Sequence, residues 1–232
     1  YWEQKVLQSA DGVLTTVGGS LIQKLQTKAP DQSFHVLPNG YDAALMSSVP
    51  KTTIKPFHVV YTGLLTENQD YLPVIHILND LADEYNIMLS LAGNIAPHLV
   101  DQIQKNGPKI EVSYSGYLSH KDAIVLMKSG DLLLNFIFKG ADQDMISGKL
   151  LEYLASGVPV LSIGEQKSEA GQLLASARFA EMIRVDDRDA LKSFIVKAAQ
   201  KKGRATNELP EIKKWSRQTL SENLAALLLS KN

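Results

Sequence analysis

Cysteine is absent from the 232 residues, which excludes disulfides and thiolate-bound metal. The five histidines are His35, His58, His76, His98 and His120. No two of them stand at metal-ligand spacing beside a carboxylate, so no bound metal and no cofactor is expected. Charge of one sign is also lacking: 24 Lys and Arg against 25 Asp and Glu leave a net charge of −1, which argues against a nucleic-acid surface or an acidic tail. No apolar run approaches the roughly 18 residues that cross a bilayer, and no signal-peptide pattern opens the chain. Walker, Gly-x-Ser-x-Gly and Gly-x-Gly-x-x-Gly patterns are missing, as are internal repeats and low-complexity segments. These absences are compatible with a reducing, cytoplasmic compartment. The chain opens at Tyr1 directly in a helical pattern, and we expect it to be a fragment of a longer polypeptide.

What is present is an ordinary globular composition, 44% hydrophobic and 21% charged, enough for a sizeable core in one or two domains. Apolar strands and amphipathic helices alternate along the chain. Trp2 to Ser9 reads as a helix with Trp2, Val6 and Leu7 inward; Val13 to Val17 and Phe34 to Leu37 read as strands, with a helix from Leu21 to Gln26 between them. Pro38-Asn39-Gly40-Tyr41-Asp42 has strong turn chemistry, and Lys51 to Pro56 reads as a connector. Strands follow at Phe57–Thr62, Ile87–Ala92, Ile110–Ser115, Leu132–Phe136, Val158–Ile163 and Met182–Val185. Helices are expected at Tyr71–Tyr85, Pro97–Asn106, His120–Ser129, Glu169–Ser176, Arg188–Gln200 and Trp215–Leu229. Several strands are apolar on both faces, as in a parallel sheet covered on both sides, so the fold class is α/β, a Rossmann-like open parallel sheet. In such sheets ligands bind beyond the carboxyl ends of the strands, where the strand order reverses. Candidate site residues therefore cluster at Gly63-Leu64-Leu65, Gly93-Asn94, Gly116-Tyr117-Leu118 and Asn135 through Lys149.

The stretch from Asp144 to Leu161 carries the most information. Ser147 is a good N-cap, Leu150, Leu151, Leu154 and Ala155 recur at helical spacing, and Gly157 ends the helix before an apolar strand. Lys149 and Glu152 share the opposite face. A lysine in the first turn stands badly against the positive end of the helix dipole, unless an anion docks there. The alternative is an ordinary solvated Lys–Glu pair.

Ser147-Gly148-Lys149-Leu150-Leu151-Glu152-Tyr153-Leu154-Ala155-Ser156-Gly157-Val158-Pro159-Val160-Leu161 resembles the donor-site helix of GT-B glycosyltransferases, and Pro38 to Asp42 resembles the turn after their interdomain crossover. The resemblance implies one half of a GT-B enzyme of group-1, retaining type, which binds a nucleoside-diphosphate sugar and passes its sugar to an acceptor. Glu152 would hold the ribose, Lys149 the diphosphate and Asp144 the sugar, with an aspartate where glutamate is usual. Gly63 would allow close backbone approach to the diphosphate, and the turn at Gly116, Tyr117 and Leu118 would hold the base. The implied organisation is a crossover region at 1–50 joining a missing N-terminal domain, a nucleotide-sugar-binding domain at 51–210, and a C-terminal helix at 211–232 packing back. The acceptor, a glycan or lipid, would be held by the missing domain, and the family's step needs no bound metal. A peripheral membrane association of the full-length protein is compatible with this, and the fragment alone should not turn over.

Two positions depart from the pattern. Leu64 stands for the usual arginine and Gln69 for the usual lysine or arginine that face the diphosphate, where fixed charge is worth several kcal/mol. Lys149, and at a greater distance Lys139, are the substitutes. This departure keeps open a catalytically silent nucleotide-binding module, or a structural domain on the same scaffold. Elsewhere, His120 reads as a helix N-terminal residue or as a contact to a nucleobase. Gly164-Glu165 and Ser168 form a loop near the expected donor pocket, with Ser168 also a plain N-cap. Asp186-Asp187-Arg188 reads as a helix start and Lys201 to Arg204 as a solvated basic loop.

Overall fold

The computed structural model describes residues 1–140, 146–204 and 206–230. The expected Asp144 contact therefore lies outside the described residues. Two short strands, β1 (Val13–Thr15) and β2 (Phe34–Val36), pair in parallel, flanked by helices α1 (Trp2–Ser9), α2 (Gly19–Gln26) and α3 (Ala43–Ser48). The main sheet then alternates with helices: β3 (Phe57–Thr62), α4 (Leu72–Leu81), β4 (Ile87–Ala92), α5 (Pro97–Asn106), β5 (Glu111–Tyr114), α6 (His120–Ser129), β6 (Leu132–Phe136), α7 (Gly148–Ala155), β7 (Val160–Ile163), α8 (Glu169–Ala175), β8 (Ala180–Ile183) and α9 (Arg188–Gln200). A 3₁₀ turn at Ile212–Trp215 leads into α10 (Arg217–Leu229).

The six main strands are all parallel, in the spatial order β5-β4-β3-β6-β7-β8. The strands are laid down outward from β3 in one direction and from β6 in the other, so the chain reverses between these two strands. Every residue of β3, β6 and β7 is buried. The reason is that both faces are covered: Val59, Tyr61, Leu132 and Leu161 pack with α4, α5 and α9, while Val60, Leu133 and Val160 pack with α6, α7 and α8. A strand buried on both sides has no solvent face for polar residues, so these runs are mostly apolar, and the polar side chains they do carry are paired: His58 with Ser90 at 2.8 Å and Asn135 with Ser162 at 2.7 Å. The α/β, Rossmann-like parallel sheet expected from the sequence is the fold observed.

Several local expectations are corrected. Helix α4 ends at Leu81 rather than Tyr85, and it buries Val74, Ile75, Ile77, Leu78 and Leu81 because it lies between the sheet and neighbouring helices. Trp2 and Val6 are exposed on α1, where only Leu7 turns inward. Helix α3 was not expected; Asp42 caps it by accepting the Leu45 N–H at 2.8 Å. The last helix starts at Arg217, because Ser216 leaves the 3₁₀ turn in extended conformation and caps α10. At that point the chain returns to its own beginning: Tyr41 N–H donates to Trp215 O at 3.1 Å and Arg217 N–H to Tyr41 O at 3.0 Å. Gly40 is required there, since a Cβ would stand 2.7 Å from Leu220 Cδ1 and 2.9 Å from Trp215 O. Among the described residues no helix is long and apolar enough to cross a membrane.

Candidate functional site

The carboxyl ends of β3 and β4 pass into tight turns at Gly63 and Gly93, both with φ of +119°, a region that side chains avoid. The two glycines also touch: a Cβ on Gly93 would fall 2.2 Å from Gly63 O, so backbone lies on backbone. Gly93 N–H donates to Gly116 O at 2.7 Å and Gly63 N–H to Ala92 O at 2.8 Å, joining three successive strand ends into a shelf of bare main chain.

Helix α7 starts above this shelf. Ser147 caps it by accepting the Leu150 N–H at 3.2 Å. Leu150, Leu151 and Leu154 fix its inner face, and fully buried Tyr153 ties it to the sheet, its hydroxyl accepting the Thr62 N–H at 2.8 Å. Burial pushes the Tyr153 phenol up to about 12, so it stays a neutral hydrogen-bonding group. The anchoring leaves Lys149 over Gly63: a Cβ there would lie 3.3 Å from Lys149 Cδ. The ammonium stands 4.3 Å from the Tyr61 ring centroid. Among the described residues it has no hydrogen bond and no carboxylate partner. Surrounded by protein, its pKa is pushed down to about 7. This is an arrangement that an anion would relieve.

One turn on, Glu152 reaches the same cleft with 16% of its side chain exposed. Its Oε1 lies 2.8 Å from His120 Nε2 and 3.7 Å from an Arg217 guanidinium nitrogen. The cleft, about 370 Å³, is lined by Thr62, Gly63, Gly93, Tyr117, Leu118, Lys149 and Glu152 among others, with Tyr117 88% exposed at its mouth. It opens beside the β3–β6 reversal.

Of the candidate residues, the cleft thus gathers Gly63, Gly93, Tyr117, Leu118, Lys149 and Glu152. Others do not line it. Leu65 is turned into the core, 2% exposed, with its N–H spent on Asn94 O at 3.2 Å. Leu64 is exposed outside the lining and its carbonyl accepts the Tyr61 hydroxyl. Asn94 is exposed, Gly116 contributes its carbonyl to the shelf, and Ser147 spends its hydroxyl on the cap. Gly148 faces the 38–42 turn, where a Cβ would lie 3.8 Å from Asn39 Cβ. Gln69, at the expected cation position, is buried; its amide donates to Phe136 O at 2.8 Å and accepts the Thr66 N–H at 2.9 Å. Lys139 is no substitute, being paired with Asp70 at 2.8 Å on the rim of a different cleft. Two residues in the site had no such role in the sequence reading: Arg217, which comes from the far end of the chain, and His120 as partner of Glu152. No local pattern marks either contact. Among the described residues no group of His, Cys, Asp and Glu could hold a metal ion.

No family model matches the sequence, and no curated protein matches it. Solved structures do. Sucrose-phosphate synthase from Thermosynechococcus elongatus superposes with a TM-score of 0.69 at 15% identity, covering 98% of this chain and 60% of that one. A glycosyltransferase from Rickettsia africae gives 0.67 at 14% identity, covering 96% and 65%. HepE from Anabaena, solved in complex with UDP-glucose, gives 0.66 at 17% identity, covering 97% and 66%. The chain therefore has the Rossmann-like fold found in GT-B glycosyltransferases, and it spans less than two thirds of the length of these three structures.

Proposed function

We propose that this chain is the donor-binding half of a glycosyltransferase that takes a sugar from a nucleoside diphosphate. The observation that carries the reading is Lys149: an ammonium without a carboxylate partner among the described residues, at the start of a buried-face helix, over a main-chain shelf at the sheet's reversal point. Free helix N–H groups, the dipole and the ammonium all favour a diphosphate there, and in a transfer reaction they would stabilise the charge that develops on the leaving group. Glu152 would accept hydrogen bonds from the ribose hydroxyls, Tyr117 and Leu118 would flank the base, and Asp144 would approach the sugar. The fold's appearance in HepE bound to UDP-glucose supports the assignment of class. The acceptor would be held by a further domain, and no metal would be needed because the Lys149 ammonium and the start of α7 would face the diphosphate. Calorimetric titration with UDP, ADP and GDP tests the reading. Saturable binding that Lys149→Met weakens is the expected result, and no binding of any of the three would sink it.

A second reading, a nucleotide-binding module without transferase activity, is favoured by one observation: the turn after β3 carries no cation, with Gln69 locked in hydrogen bonds. It predicts the same titrations but no sugar transfer or donor hydrolysis by the full-length protein.

A further inference from the structure

Resting on the donor-site reading, we infer that His120 and Arg217 are positioning residues that clamp Glu152 and thereby set the preference for a ribose diol. Three helices converge on one carboxylate oxygen. His120 is the first residue of α6, Arg217 the first of α10, and both address Oε1 of Glu152 from α7, at 2.8 and 3.7 Å. Oε2 has no hydrogen-bond partner among the described residues, and Glu152 lines the cleft together with Gly63 and Tyr117.

Stability does not account for this arrangement. His120 and Arg217 have 41% and 57% of their side chains exposed, and ion pairs that open to water contribute little net energy. What the contacts do is remove rotational freedom from Glu152. Arg217 is itself held: its Nε donates to Gly40 O at 3.2 Å and its backbone N–H to Tyr41 O. Gly40 is wedged against Leu220 and Trp215, so the strap formed by 38–42 and 215–220 cannot slide without breaking packing. A carboxylate fixed through one oxygen presents the other in a set direction, and a ligand with hydroxyls at that point gains affinity because the ordering is already done. A deoxyribose offers one hydroxyl fewer and gains less.

The test compares a nucleoside diphosphate (UDP, ADP or GDP, whichever wild type binds best), its 2′-deoxy counterpart, and inorganic pyrophosphate. We expect wild type to prefer the ribonucleotide by about tenfold, the worth of one hydrogen bond to a charged group. His120→Ala should bring that ratio close to unity while leaving the pyrophosphate affinity unchanged. His120→Gln, which keeps a donor at similar reach, should restore most of it, and Arg217→Ala should lower it partway. Equal weakening of all three ligands, or no rescue by glutamine, overturns the clamp while leaving the donor site standing. Failure of wild type to bind any nucleoside diphosphate overturns the donor-site reading and the clamp together.

Discussion

The carboxyl edge of the sheet carries two clefts of comparable size that differ in how their charges are satisfied. Over β6, β7 and β8 a cleft of about 270 Å³ is rimmed by Asp70, Lys139, Glu165, Arg184 and Asp186. There each cation has a partner: Lys139 meets Asp70 at 2.8 Å, and Arg184 meets Asp186 at 2.8 Å and Glu165 at 3.5 Å. Over β3 and β4 there are fewer charged groups, yet Lys149 is desolvated with no anion among the described residues. A paired rim is a solvated surface that happens to be concave. A cation held without a partner is a deficit, and deficits of this kind mark places where a ligand completes the electrostatics.

Backbone changes should separate the two halves most. Gly93→Ala places a Cβ against Gly63 O in a region closed to side chains, and should destabilise the fold by about 3 kcal/mol or more. Gly164→Ala, in the other cleft, meets the Met182 and Ile137 side chains first rather than backbone, and should be milder in denaturant titrations. Next comes Lys149→Met. It should weaken nucleoside diphosphate binding about a hundredfold by calorimetry, through loss of a charge-assisted contact. Neutralising Lys139 or Arg184 should leave that affinity unchanged.

The pH dependence has a definite sign. Burial lowers the Lys149 pKa from 10.5 to about 7, so the folded state disfavours the charged form. Stability is therefore lost as pH falls from about 10.5 to about 7, and levels off below. Lys149→Met should flatten this slope and, at pH 6, raise stability by about 1–2 kcal/mol, a partial share of the shift because the side chain keeps some exposure. Binding a diphosphate should restore the charged form. Titrations at pH 8.5 in buffers of different ionisation enthalpy should then show uptake approaching one proton, absent in Lys149→Met. The smallest change expected is Tyr153→Phe, which orphans the Thr62 N–H and should cost about 1–2 kcal/mol in unfolding free energy, with a secondary loss of affinity as α7 loosens.

Sequence and structure agree best where burial dictates composition. Phe57–Thr62 and Leu132–Phe136 are mostly apolar because both sheet faces are covered, and helix α7 announces itself through Ser147, its leucines and Gly157. Local pattern fails where tertiary contacts decide. Trp2 and Val6 have helical spacing but no surface to pack on. Leu65 follows Gly63 in sequence yet turns inward, because the chain after the glycine bridges to Ile95 and the Leu65 N–H bonds Asn94 O. Arg217 and His120 reach Glu152 only once three helices are assembled, and no spacing rule connects positions that far apart. Gln69 looks like a missing charge in the sequence, whereas in the fold it is a staple between the turn and Phe136.

That staple constrains any attempt to upgrade the site. Swapping Gln69 for lysine would supply no acceptor for the Thr66 amide, so the new ammonium would arrive together with a loosened loop. A second positive group beside the cleft would be better grafted at Leu64, whose side chain already faces water.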